Sequence, residues 1–97
     1  MIIDDAKSKD LEAFMAKLDS DVRARNITDG RATLLRAQLR AMAKDRESVQ
    51  RSKDERRIGQ FNKLFIHKLG ELSRILQTHG HSNRDEVAEM VRKIKAQ

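Results

Sequence analysis

The sequence predicts an all-α fold of three or four helices. Proline is absent from the 97 residues, and good helix formers such as Ala, Leu, Lys, Arg, Glu and Gln dominate. Apolar side chains recur at helical spacing in several separate segments. With 38% apolar and 37% charged residues, we expect a single domain over residues 1–97 with a thin core. Oligomerisation is expected to supply further burial.

Residues 1–30 are predicted to form a short acidic N-terminal helix and a turn. Five apolar residues fall on one stripe of a helix: Leu11, Phe14, Met15, Leu18 and Val22. The helix is expected to end near Asn26, because the sequence from Asn26 to Gly30 offers residues tolerant of a left-handed backbone and a glycine. Thr28 or Asp29 is the expected N-cap of the next helix.

Residues 31–80 contain two amphipathic stretches, 31–43 and 58–78, on either side of a charged one. Residues 44–57 hold ten charged side chains in fourteen positions. Seven apolar residues of the two amphipathic faces are predicted to contact a partner protein or a second copy of the chain: Leu35, Leu39, Met42, Phe61, Phe65, Leu69 and Leu72.

The charged stretch either joins two helices in an antiparallel hairpin or lies inside one long helix. A single helix over residues 29–79 would be about 75 Å long and would need a partner for its apolar face. Ser52 and Glu55 have the spacing of a capping box, which favours a break and a new helix beginning at Ser52. The hairpin is the preferred interpretation, with helices of the N- and C-terminal segments closing its open side.

Residues 81–97 are predicted to form a short C-terminal helix. The preceding helix should end at His79–Gly80, since glycine is common just past a helix C-terminus. Ser82 or Asn83 is the expected N-cap, and Glu86 lies three residues after Asn83, as in a capping box.

The distribution of charge indicates a polyanionic partner. Residues 1–30 have a net charge of −2 and residues 31–97 a net charge of +8. We therefore predict binding to the backbone of duplex nucleic acid through eight cations: Arg36, Arg40, Lys44, Arg51, Lys53, Arg56, Arg57 and Lys63. The alternative is a solvated helix face kept soluble by its charge. A further hypothesis is that the acidic N-terminal segment shields part of this cationic surface.

A second functional class is a protein-binding adaptor or inhibitor, of the kind found among phage and plasmid regulators, acting on an acidic partner protein. No enzyme signature, cofactor motif or small-molecule site stands out, so we expect a non-enzymatic protein without cofactor. His79 and His81 are interpreted as residues of a helix terminus and not as metal ligands. No apolar run approaches the length of a membrane span, and a cytoplasmic location is expected.

Overall fold

The structure, a computed structural model, describes the backbone of residues 2–95 and the side chains of residues 11–95. These residues form four α-helices and no β-strand: α1 (Ile2–Ala24), α2 (Gly30–Arg51), α3 (Glu55–Thr78) and α4 (Arg84–Lys95). The predicted all-α class with four helices is therefore confirmed. The radius of gyration is 13.4 Å, and the principal extents are 39 × 23 × 20 Å. Within residues 2–95, no helix is both long and apolar enough to cross a membrane.

α1 is longer than predicted, because helix-forming residues continue upstream of the apolar stripe without a breaker. At 23 residues it matches α2 in length, so the expectation of a short N-terminal helix is wrong. All five predicted stripe residues are buried: Leu11, Phe14, Met15, Leu18 and Val22. Removing this apolar stripe from water fixes α1 against the other helices.

The turn between α1 and α2 lies where the sequence places it. Asn26 adopts a left-handed backbone with φ 51°, which asparagine tolerates better than most residues. The Ile27 amide donates to Val22 O at 3.1 Å, and the Ile27 side chain is buried. Asp29 is the N-cap of α2, and its carboxylate accepts a hydrogen bond from the Arg31 amide at 2.8 Å.

α2 and α3 are separate helices that pack against each other along their apolar faces. Contacts between them pair Arg31 with Glu71 and Gln38 with Lys68. One hydrophobic core unites all four helices. Beyond the α1 stripe and Ile27, its buried members are Ala32, Leu35, Leu39, Phe65, Leu69, Leu72, Leu76, Met90 and Ile94.

The break between α2 and α3 falls in the charged stretch, but its caps differ from the prediction. Ser52 is the C-cap of α2, and its hydroxyl donates to Val49 O at 2.5 Å. Asp54 is the N-cap of α3 and accepts a hydrogen bond from the Arg57 amide at 3.2 Å. The new helix therefore begins at Glu55 and not at Ser52, because the aspartate provides the cap two residues later.

The turn between α3 and α4 begins at the predicted glycine. Gly80 has φ +84°. Its amide donates to Gln77 O at 2.9 Å, and the His81 amide donates to Leu76 O at 3.0 Å. This pair of hydrogen bonds is a Schellman motif, in which a left-handed residue satisfies the last carbonyl groups of the helix.

The start of α4 differs from the predicted capping box. Asn83 is 1% exposed, and its Oδ1 accepts a hydrogen bond from the Ser73 hydroxyl at 2.9 Å. The Glu86 carboxylate pairs with Lys17 of α1. Asn83 and Glu86, which the sequence predicted to form a capping box, thus contact side chains of other helices.

Candidate nucleic-acid interface

The eight predicted phosphate-binding cations divide into two groups. The first group lies on α2, and the second lies on the α2–α3 connection and the first half of α3. The α2 group consists of Arg36, Arg40, Lys44 and Arg51, and the second group of Lys53, Arg56, Arg57 and Lys63. Their surroundings differ, and this decides which of them a polyanion can reach.

Two cations of the α2 group are paired with a buried carboxylate of α1. Arg36 Nε donates to Asp19 Oδ1 at 2.7 Å, and the Arg40 guanidinium pairs with Asp19 Oδ2. Asp19 is 5% exposed. The structure differs here from the expected outward stripe, because α1 packs over this side of α2 and supplies a counter-charge. This contact also places an acidic side chain of the N-terminal segment against the cationic face.

The remaining α2 cations have acidic neighbours as well. Lys44 lines a groove of about 390 Å³ between α1 and α2, whose other charged residues are Glu12, Asp19, Arg40 and Glu47. Arg51 pairs with Glu47 one helical turn earlier, at 2.5 Å between guanidinium nitrogen and carboxylate oxygen. The α2 face is therefore a mixed-charge surface.

The second group lies at the exposed α2–α3 connection. Lys53, Arg56 and Arg57 are all exposed, and none of them forms an ion pair with an acid in the described part of the chain. Lys63 is exposed two turns after Arg56, on the same face of α3.

α4 brings an additional cation to this end of the molecule. Lys95 shares a shallow cavity with Gly59, Asn62, Lys63 and Ile66 of α3. We call Lys53, Arg56, Arg57, Lys63 and Lys95 the basic tip. Lys95 is not among the eight cations that the sequence predicted to bind phosphate. The signal that sequence reasoning missed was the antiparallel return of α4 along α3.

The apolar residues predicted to contact a partner are placed in this chain's own core or against it. Leu35, Leu39, Phe65, Leu69 and Leu72 are 4% exposed or less, and Met42 and Phe61 are half-buried against the core. The large apolar side chains that remain exposed among residues 11–95 are Leu34, at 57%, and Leu64, at 50%.

The aromatic side chains are engaged within the fold. Phe14 and Phe65 are buried. Phe61 is half-buried and stacks on Phe65, with ring centroids 6.4 Å apart and planes 20° from parallel. Platforms that stack on unpaired bases require exposed rings, so this arrangement is less suited to single strands than to a duplex backbone.

Arg46 of α2 is a cation of a different kind. It is 5% exposed, and its Nε and one terminal nitrogen are buried without a hydrogen-bond partner among the described residues. Burial lowers the pKa of this guanidinium from its ordinary value, because a low-dielectric environment disfavours the charged form. Arg46 is therefore not part of a phosphate-binding surface.

Side chains suited to a metal ion meet at the end of the molecule opposite the basic tip. One ligand atom from each of Asp21, His81 and Glu86 lies within 4.8 Å of the other two. Sequence reasoning treated His81 as part of a helix terminus and did not connect it with either acid. Asp21 is 60 residues away in the chain, so only the tertiary fold brings the three together.

Comparisons with known protein families, with characterised proteins and with solved structures gave no match. The function is therefore inferred from the residues of this chain alone.

Proposed function

We propose that the protein binds the phosphate backbone of duplex nucleic acid through the basic tip, as a non-enzymatic accessory or regulatory factor or a subunit of a nucleoprotein complex. The observation that supports this function most directly is the concentration of five exposed cations around one exposed connection. Asp54 and the exposed Glu55 contribute two compensating charges there, and the Asp54 carboxylate accepts a hydrogen bond from the Arg57 amide as the helix cap.

Counterion release provides the physical basis of this binding. Each phosphate that a lysine or arginine neutralises frees condensed counterions, so affinity falls with salt. If all five side chains of the basic tip contact phosphates, the slope of log K against log salt is expected to be about −4 to −5. The α2 group is expected to add less, because Asp19 pairs with both Arg36 and Arg40 and offsets one of their two charges.

The proposal includes an antiparallel hairpin of α2 and α3 as the unit that presents the basic tip. The Arg31–Glu71 and Gln38–Lys68 contacts support that direction. The end of a helix pair is narrow, so the basic tip can contact nucleic acid over a small area. We also propose a cytoplasmic location and self-association, the latter supported by the exposure of Leu34 and Leu64.

A salt series with two matched triple variants tests the function. The variant K53Q/R56Q/R57Q removes three charges from the basic tip, and R23Q/R74Q/R84Q removes three exposed charges from elsewhere on the surface. Both lower the net charge from +6 by the same amount. Fluorescence anisotropy with a short labelled duplex, between about 50 and 200 mM salt, measures the affinity and its salt slope.

The tip variant is expected to lose at least about tenfold in affinity and to reduce the salt slope by about three. The matched variant should lose much less, because its charges lie outside the contact. Equal losses in the two variants would show that only net charge matters, and absence of binding at low salt would refute the proposal. A single strand of the same sequence should bind less tightly than the duplex.

The second candidate function is binding to an acidic partner protein, and the exposure of Leu34 and Leu64 favours it. These side chains lie on α2 and α3, the helices that also carry half of the exposed lysines and arginines among residues 11–95. Capture of one acidic protein after nuclease treatment, lost in the variant L34S/L64S and retained in K53Q/R56Q/R57Q, would favour this function over nucleic-acid binding.

A further inference from the structure

Asp21, His81 and Glu86 form a cluster at the junction of α1, the α3–α4 turn and α4. Asp21 Oδ2 lies 3.0 Å from His81 Nε2. These two atoms and Glu86 Oε2 are each buried without a hydrogen-bond partner among the described residues. Two carboxylates and an imidazole thus direct unsatisfied ligand atoms toward one another.

A positive charge would stabilise this arrangement, in addition to the one that Lys17 already offers to the other oxygen of Glu86. Buried polar atoms in folded proteins are nearly always hydrogen-bonded, and an unpartnered buried carboxylate is costly. The cluster brings two such oxygens together, which adds repulsion between like charges. A cation held between Asp21, Glu86 and the lone pair of a neutral His81 would remove both penalties.

The backbone around the cluster is fixed by contacts that do not use the ligand atoms. The Schellman motif at Gly80 sets the position of His81, and Arg25 donates a hydrogen bond to His79 O at 3.1 Å. Asn83 is held by Ser73 at the start of α4, and the second oxygen of Glu86 pairs with Lys17. Each ligand is therefore attached to a rigid element, as preformed metal sites require.

We propose that Asp21, His81 and Glu86 bind a divalent transition-metal ion, with Zn²⁺ as the best-suited probe. Histidine nitrogen and carboxylate oxygen are both good zinc ligands, at about 2.0–2.2 Å. Ligands of a tetrahedral ion at that distance are roughly 3.3 Å apart. The 3.0 Å between Asp21 and His81 is close to this value, and a ligand atom of Glu86 lies within 4.8 Å of both.

The ligand set also selects among metals. Mg²⁺ and Ca²⁺ prefer shells made entirely of oxygen, whereas imidazole favours zinc and its neighbours in the transition series. Three protein ligands leave at least one coordination position for water or another group. The ion joins α1 to α4, the first and last helices of the chain.

The test uses the full chain without a histidine tag, titrated with Zn²⁺ by isothermal calorimetry and with Co²⁺ by visible absorption. One ion per chain is expected, together with a rise in melting temperature of roughly 10–15 °C at a Zn²⁺ concentration of about a hundred times Kd. D21N and H81Q should each weaken Zn²⁺ binding at least about tenfold. H79Q and H67Q serve as controls, because His79 and His67 are exposed histidines outside the cluster.

Melting temperatures in the presence of a chelator show whether D21N and H81Q remain folded, and E86Q provides a third variant at a half-exposed side chain. Absence of saturable Zn²⁺ binding up to about 1 mM would overturn the proposal. So would equal affinity in wild type, D21N and H81Q, which would indicate binding to other surface groups.

Discussion

Two pairs of arginines show how a neighbouring helix changes the surroundings of a cation. Arg36 and Arg40 lie on α2, and Arg56 and Arg57 lie on α3. The first two share the buried carboxylate of Asp19. The second two are exposed and form no ion pair with the described acids. Position on a helical wheel is therefore not enough to identify a phosphate-binding residue, since a carboxylate from another helix can pair with a cation even where, as at Arg40, the side chain is exposed.

The largest expected effect comes from removing that counter-charge. The change Asp19→Asn keeps the side-chain shape but replaces a charged acceptor that is 5% exposed. We expect the free energy of unfolding to fall by about 2–3 kcal/mol, because hydrogen bonds to charged groups contribute that much where water is excluded. This change in the free energy of unfolding is measured by urea denaturation, monitored by circular dichroism. Asp45→Asn, at an exposed position of α2, should stay within about 0.5 kcal/mol of wild type.

The next prediction compares the two arginine pairs directly. R56Q/R57Q should weaken duplex binding about tenfold at low salt, while the free energy of unfolding stays within about 0.5 kcal/mol of wild type. R36Q/R40Q should lower the free energy of unfolding and weaken duplex binding by less, because both guanidinium groups are paired with Asp19, which offsets one of their two charges. Anisotropy and urea denaturation on both variants provide the two readouts. Equal loss of affinity in both would show that Asp19 does not withhold its arginines from the nucleic acid.

Arg46 extends the comparison to an arginine that is buried and has no described partner. Replacing it with methionine retains the long apolar stem and removes the charge from a low-dielectric site. We expect the free energy of unfolding to rise by about 1 kcal/mol, because apolar replacements of buried ionic groups are often stabilising. A lower urea midpoint for Arg46→Met would show instead that the guanidinium makes a contact on which the fold depends.

The smallest effect is expected from replacing Glu71, which pairs with the exposed side chain of Arg31. The hydrogen bond from Arg31 holds the pKa of Glu71 below its ordinary value of 4.5. A lowered folded-state pKa contributes stability that is present above the ordinary value and is lost as pH falls through the lowered one. The difference in urea midpoint between wild type and Glu71→Gln should therefore shrink on acidification below pH 4.5. A difference that does not change with pH would contradict this.

The fold was largely predictable because its core follows from a simple period. The α1 stripe from Leu11 to Val22 and the α3 series containing Phe65, Leu69, Leu72 and Leu76 are all buried as their spacing predicts. The turns at Asn26 and Gly80 follow from backbone chemistry that few other residues satisfy. These signals are local, so they can be interpreted correctly without knowledge of the tertiary structure.

The candidate sites were less predictable because they depend on pairs that are distant in sequence. Asp19 reaches Arg36 and Arg40 only through the register of α1 on α2. Glu86 has a sufficient local explanation as a capping residue, and its approach to Asp21 and His81 appears only when α1 and α4 meet. The sequence shows the cations of the α2–α3 connection as a cluster. The position of Lys95 beside them depends on how α4 packs against α3, which the sequence does not show.

The backbone of Lys53 has a consequence for the balance between stability and function. With φ 57°, it occupies a left-handed conformation that disfavours L-residues by roughly 1–2 kcal/mol and that glycine adopts freely. Asn26 occupies the same region with a side chain suited to it, whereas Lys53 has no such adaptation. Lys53→Gly should therefore raise the melting temperature and weaken binding to nucleic acid. The left-handed lysine thus lowers stability while it adds a positive charge to the α2–α3 connection.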